Sequence, residues 1–203
     1  MRSILRFGSA LALVFICAPV FAQTPLLRII RGDIVSVDGA NIRVRTRSGE
    51  SVRLRVKDGQ DITAVIPAAL TDVKAGVFVG AAAMPAGDGT LKAMEVHIFP
   101  ESQRGSGEGF RPFDLAPGSS MTNANISARV DSASGPKLTL TYKGGEQTIT
   151  VDDATPIVTF APGETADLKP GASVDIFRPT AAADGAIEAA RIFVGRNGTK
   201  VPI

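Results

Sequence analysis

The chain has 203 residues, with 22 lysines and arginines against 20 acids, and the resulting charge of +2 gives no general case for nucleic acid. Its one cysteine, Cys17, falls within an N-terminal leader, so the rest of the chain is expected to have no disulfide and no thiol chemistry. Twenty-one glycines, 13 prolines, no tryptophan and many Val, Ile and Thr read as an all-β chain of short strands joined by turns.

The opening, MRSILRFGSALALVFICAPVFAQTP, has the three parts of a secretory signal: basic Arg2 and Arg6, an apolar run from Phe7 to Phe21, and the small-residue end Val20-Phe21-Ala22. The uninterrupted run is shorter than the roughly 20 residues of a membrane-spanning helix. Residues 1–22 are therefore expected to be a cleaved Sec-type signal peptide, leaving about 180 residues in the bacterial periplasm or outside the cell. No later hydrophobic segment is long enough to cross a membrane.

The rest is one unit written twice. The stretch IRGDIVSVDGANIRVRTRSGESVRLRV from Ile30 aligns with ISARVDSASGPKLTLTYKGGEQTITV from Ile126, bringing Gly39 to Gly135 and Gly49 to Gly145 at an offset of 96. DVKAGVFV from Asp72 meets DLKPGASV from Asp167, and DGTLKAMEVHIF meets DGAIEAARIFVG with Asp88 against Asp184. Each copy reads as five strands: a long one, bulged near Gly32 in the first copy, then a hairpin, a crossover and a second hairpin. Ile42 and Val44 alternate with Arg43, Arg45 and Arg47, and Val52, Leu54 and Val56 with Arg53, Arg55 and Lys57, giving one buried and one wet face. This order predicts two tandem five-stranded OB-like barrels over residues 27–100 and 126–197. Pro156, Pro162 and Pro170 argue for an extended or single-turn crossover rather than a helix. Residues 101–125 read as a linker, Gly/Ser-rich at first and then apolar at Phe110, Phe113 and Leu115, which are expected to dock over a barrel end.

The elements GDIVSVDG at Gly32, DVKAG at Asp72, DLKPG at Asp167, DGTLKA at Asp88 and DGAIEA at Asp184 together resemble an exported bacterial OB-like domain family of unknown function, found singly and in tandem. Its members are sometimes labelled metal ABC transporter permease. A permease needs several spanning helices, which this sequence lacks after its leader. The resemblance implies no catalytic residue and no cofactor.

The residues point the same way. His97 is the single histidine, and alternation between Val96 and Ile98 turns it away from the core beside Glu95, predicting an exposed strand residue. One histidine and no further cysteine cannot assemble a usual transition-metal site, and no D-x-D-x-D-G calcium loop occurs. No G-x-S-x-G elbow is present, and GSGEG at Gly105 follows no strand. No catalytic residue, metal ligand or cofactor is therefore assigned.

The copies differ in one respect. The first hairpin carries Arg43, Arg45, Arg47, Arg53, Arg55 and Lys57 on its outer face, where the second keeps only Lys137 and Lys143 among threonines. Arginine forks suit phosphate and carboxylate groups, and this hairpin contributes to the ligand face of OB barrels. Strand exteriors also need polar residues, and cations keep sheet edges from pairing. The functional expectation is a non-enzymatic binding or interaction module for an anionic envelope lipid or polymer. The alternatives are an accessory subunit of an envelope transport or assembly complex and, third, a hydrolase using carboxylates alone.

Overall fold

The computed structural model describes residues 29–132 and 135–203; the expected signal peptide at 1–22 lies outside the described residues. Alternating apolar residues and glycine turns make the described chain all-β, with only single 3-10 turns besides. The first copy supplies β1 (Ile29–Asp38), β2 (Asn41–Thr46), β3 (Ser51–Arg55), β4 (Ile62–Pro67), β5 (Phe78–Pro85) and β6 (Leu91–Ile98). After β7 (Gly109–Pro112), the second supplies β8 (Ser120–Val130), β9 (Lys137–Tyr142), β10 (Gly145–Thr150) and β11 (Ile157–Pro162). Last come β12 (Ser173–Phe177), β13 (Thr180–Ala181), β14 (Ile187–Glu188) and β15 (Arg191–Gly195).

The repeated motifs are local turn devices. In D-x-K-x-G the carboxylates of Asp72 and Asp167 accept the N–H of Ala69 and Glu164 at 3.0 and 2.9 Å, closing a 3-10 turn. Gly76 and Gly171 follow at φ +86°, a conformation that side chains resist. In D-G, Asp88 and Asp184 accept N–H groups two residues on, from Thr90 and Ala186.

Five strands close a barrel. β9 and β10 form a hairpin, β8 joins β9 to β5, β5 pairs with β6, and β6 returns to β10 in parallel at Leu91↔Ile149. Val79, Ala81, Val96, Ile126, Leu138, Leu140 and Ile149 fill its interior. Two of these strands come from the first copy and three from the second. The remaining strands repeat the exchange: β2 lies between β1 and β3, β1 pairs with β12, β3 with β14 and β12 with β15, enclosing Ile34, Ile42, Val44, Leu54, Ile176, Ile192 and Val194. Between the two sets, β4 and β11 pair antiparallel about Val65↔Phe160, and they border β15 and β6 respectively. All fifteen strands belong to one hydrogen-bonded sheet.

Residues 27–100 and 126–197 therefore do not close separate barrels, one per copy. Alternation fixes which side chains face inward, but two copies of one unit offer the same register within a copy and between copies. The crossovers decide: as strands β4 and β11, they carry the chain from one set to the other. Ile34, not Ile30, is the counterpart of Ile126, since Ile34 exchanges backbone bonds with Gly171 and Ala172 as Ile126 does with Gly76 and Val77. Both precede a bulge, so the first-strand irregularity sits past Ile34 rather than at Gly32.

The segment 101–125 is not a linker throughout. β7 pairs with β8, and β8 itself begins at Ser120. Phe113 and Leu115 pack against a third core of Val65, Met121, Val158, Phe160, Phe193, Val201 and Ile203, whereas Phe110 is 45% exposed and does not dock.

Candidate ligand face on the first hairpin

The period-2 pattern of β2 and β3 holds, with Ile42, Val44 and Leu54 buried and Arg43, Arg45 and Arg53 exposed. The pairing register sets Arg43 directly opposite Arg53, Arg45 opposite Ser51 and Arg55 opposite Asn41. Like charges facing each other across strands oppose pairing unless a counter-ion is supplied. Here part of the counter-charge arrives from the second copy. The turn between β13 and β14 brings Asp184 to Arg53 at 3.0 Å and also against Arg55. Glu188 on β14 lies 3.6 Å from Arg55 and 2.6 Å from Lys57. The Ala186 N–H, with Arg55 and Arg53 beside it, holds the Asp184 carboxyl below the usual range.

The six cations thus divide. Arg53, Arg55 and Lys57 are ion-paired, and Arg47 donates to the Val201 carbonyl at 3.1 Å, pinning the C-terminal segment. Arg43 and Arg45 have no hydrogen-bond or ion-pair partner among the described residues. Arg43 and Arg53, with Ser36, Asp38, Asn41 and Ser51, border an open concavity of about 430 Å³. The Arg43 and Arg53 guanidinium groups and the Ser36, Asn41 and Ser51 side chains can receive a phosphate or carboxylate, while Asp38 opposes it.

A second polar group went unseen in the sequence. His97 is 4% exposed rather than the exposed strand residue expected, and its Nδ1 lies 3.1 Å from a Glu95 oxygen. Glu95 is fully buried and also accepts the Ala82 N–H at 3.1 Å. Phe99 and Phe160 pack on the imidazole at centroid distances of 4.8 and 5.2 Å. His97 does turn from the barrel interior, as alternation requires, but that outer side faces the third core rather than solvent. Gly80 makes the room, since a Cβ there would come within 2.0 Å of Nε2.

The equivalent row in the other half is Arg31, Asp175 and Phe193 across β1, β12 and β15. Asp175 is fully buried, and neither carboxyl oxygen has a hydrogen-bond partner among the described residues. Arg31 Nε stands 3.7 Å away, but the Arg31 side chain is also committed to Asp114 and to the Ile203 carbonyl. Burial outweighs the Arg31 and Arg47 charges and pushes the Asp175 pKa up to about 8. No sequence pattern marked this residue; only its pairing with Arg31 across the copies could have done so. Among the described residues, no three His, Cys, Asp or Glu side chains are grouped to hold a metal ion.

Among the described residues, no helix is long and apolar enough to cross a membrane. No family model, no curated protein and no solved structure matches the chain.

Proposed function

We propose that this chain is an exported, periplasmic, non-enzymatic binding module that takes an anionic envelope lipid surface on the outer face of β2 and β3. The observation that carries the reading is the pair Arg43 and Arg45, exposed and without counter-ions among the described residues, beside an Arg53 that shares Asp184 with Arg55. In the second copy the same face presents Lys137 and Glu146 among Thr139, Thr141, Thr148 and Thr150, so a row of arginines is not demanded by the fold. We read each strand set as an OB-like barrel with strands exchanged between tandem copies. The cyclic order β8, β9, β10, β6, β5, with β10 and β6 parallel, supports this. The N-terminal leader and the resemblance to exported domains support the location.

The test is sedimentation with vesicles of phosphatidylglycerol and phosphatidylethanolamine against vesicles of phosphatidylcholine. The wild type is expected to sediment with the anionic vesicles at low salt and to be released at about 1 M salt, where screening reaches within roughly 3 Å. Arg43→Ser with Arg45→Ser and Arg53→Ser is expected to abolish sedimentation. A wild type that stays in the supernatant, or a triple variant that sediments equally, overturns the reading.

A further inference from the structure

The hairpin of β5 and β6 and its counterpart in the other half differ at one point. From Ala82 to Met84 the hairpin of β5 and β6 advances by one residue, Ala83, and after a register shift between Ala82 and Ala83 its ladder runs on to Pro85↔Leu91. In the other half Phe177 occupies the place of Ala82, and two residues, Arg178 and Pro179, separate it from Thr180. The ladder breaks there: β12 leaves β15 after Phe177↔Arg191, and pairing resumes only at Thr180↔Glu188. Arg178 adopts φ +48°, the left-handed region that a residue with a Cβ resists. Its side chain is exposed and has no hydrogen-bond or ion-pair partner among the described residues. The added residue thus interrupts the ladder, strains the backbone and leaves a cation without a partner among the described residues; strained backbone of this kind clusters at ligand sites.

What the cation overlooks is apolar. A groove of about 490 Å³ runs beside it, walled by Ile29, Pro112, Phe113 and Phe177, with Arg111 and Arg178 at the rim. That volume lies in the roughly 300–1,000 Å³ range of small-molecule sites. Asp114 also borders the groove, but Arg31 holds its carboxylate at 2.8 Å, so it does not answer Arg178. On the far side of Arg178, Arg191 is already paired with Asp61 at 2.6 Å. An apolar wall with an unanswered positive charge at its edge is complementary to a molecule with an apolar tail and one anionic head.

We propose that this groove binds a single-chain amphiphilic anion, its tail against Phe113 and Phe177 and its head on the Arg178 guanidinium. The site is separate from the β2–β3 face and stands or falls without it.

Isothermal titration with decanoate, kept below its micelle concentration, tests this. The wild type is expected to bind one decanoate saturably and to show no saturable binding of acetate. Arg178→Gly removes the charge while relieving the left-handed backbone, so the variant is expected to melt no lower than wild type and to bind about tenfold or more weakly. Arg178→Lys is expected to retain most of the affinity. Arg43→Ser with Arg45→Ser and Arg53→Ser is expected to bind decanoate as wild type does, which separates this site from the vesicle-binding face. Absence of saturable decanoate binding, acetate binding of equal strength, or undiminished binding by Arg178→Gly overturns the proposal.

Discussion

Asp175 is a carboxyl with nothing to accept from, held beside an arginine occupied elsewhere. Its folded-state pKa is raised from 3.8 to about 8 by burial, so the folded protein holds this proton where the unfolded chain has released it. Its contribution to stability is therefore intact below about pH 4 and is lost progressively as pH rises towards 8. Asp175→Asn is expected to melt like the wild type near pH 4 and increasingly above it up to pH 8–9. Melting curves across that range check this, and a gap that does not grow with pH refutes it. The Glu95–His97 pair makes the opposite case, a buried acceptor that has its donor. His97→Phe, the residue the other copy uses at this position, leaves Glu95 without the imidazole at an expected cost of about 1–3 kcal/mol. Combining it with Glu95→Leu is expected to recover much of that loss, measured by denaturant unfolding of the single and double variants. Equal losses in both would show that the cost lies in packing, not in the unpaired carboxyl.

For the strands, sequence alternation was a sound guide to orientation and a poor one to surroundings. It placed Arg43, Arg45 and Arg53 outward, where the structure has them, and turned His97 away from the barrel, as is found. It could not tell that one outer face meets water and another meets Phe99 and Phe160, because that depends on which strands lie above. The same gap hid the counter-ions of the basic hairpin: Asp184 and Glu188 lie about 130 residues away in sequence and reach β3 only through β14. Asp184→Asn keeps the turn's acceptor oxygen but removes the charge beside Arg53 and Arg55. It is expected to cost less than about 1 kcal/mol, as exposed ion pairs are weak, and to strengthen sedimentation with anionic vesicles. Unchanged or weaker sedimentation at low salt would show that those two arginines do not face the membrane.

Across the whole molecule, the exchange of strands makes the halves interdependent. Each strand set takes its first three strands from one copy and its last pairing from the other, and β4 with β11 joins them at the centre. A specific protease site inserted at Ser106-Gly107, cut after folding, is expected to leave two fragments that co-elute on size exclusion and separate only in denaturant. Fragments that part under native conditions would contradict the exchanged topology. From the sequence alone came the turn motifs, the inward and outward faces and the all-β class, because these are set by interactions among near neighbours along the chain. Tertiary structure alone decided which copy completes which strand set, what covers His97 and buries Asp175, and which arginines are left uncommitted. Stretches with similar alternation carry similar local instructions, so which strands pair with which rests on the crossover path, which no local pattern encodes.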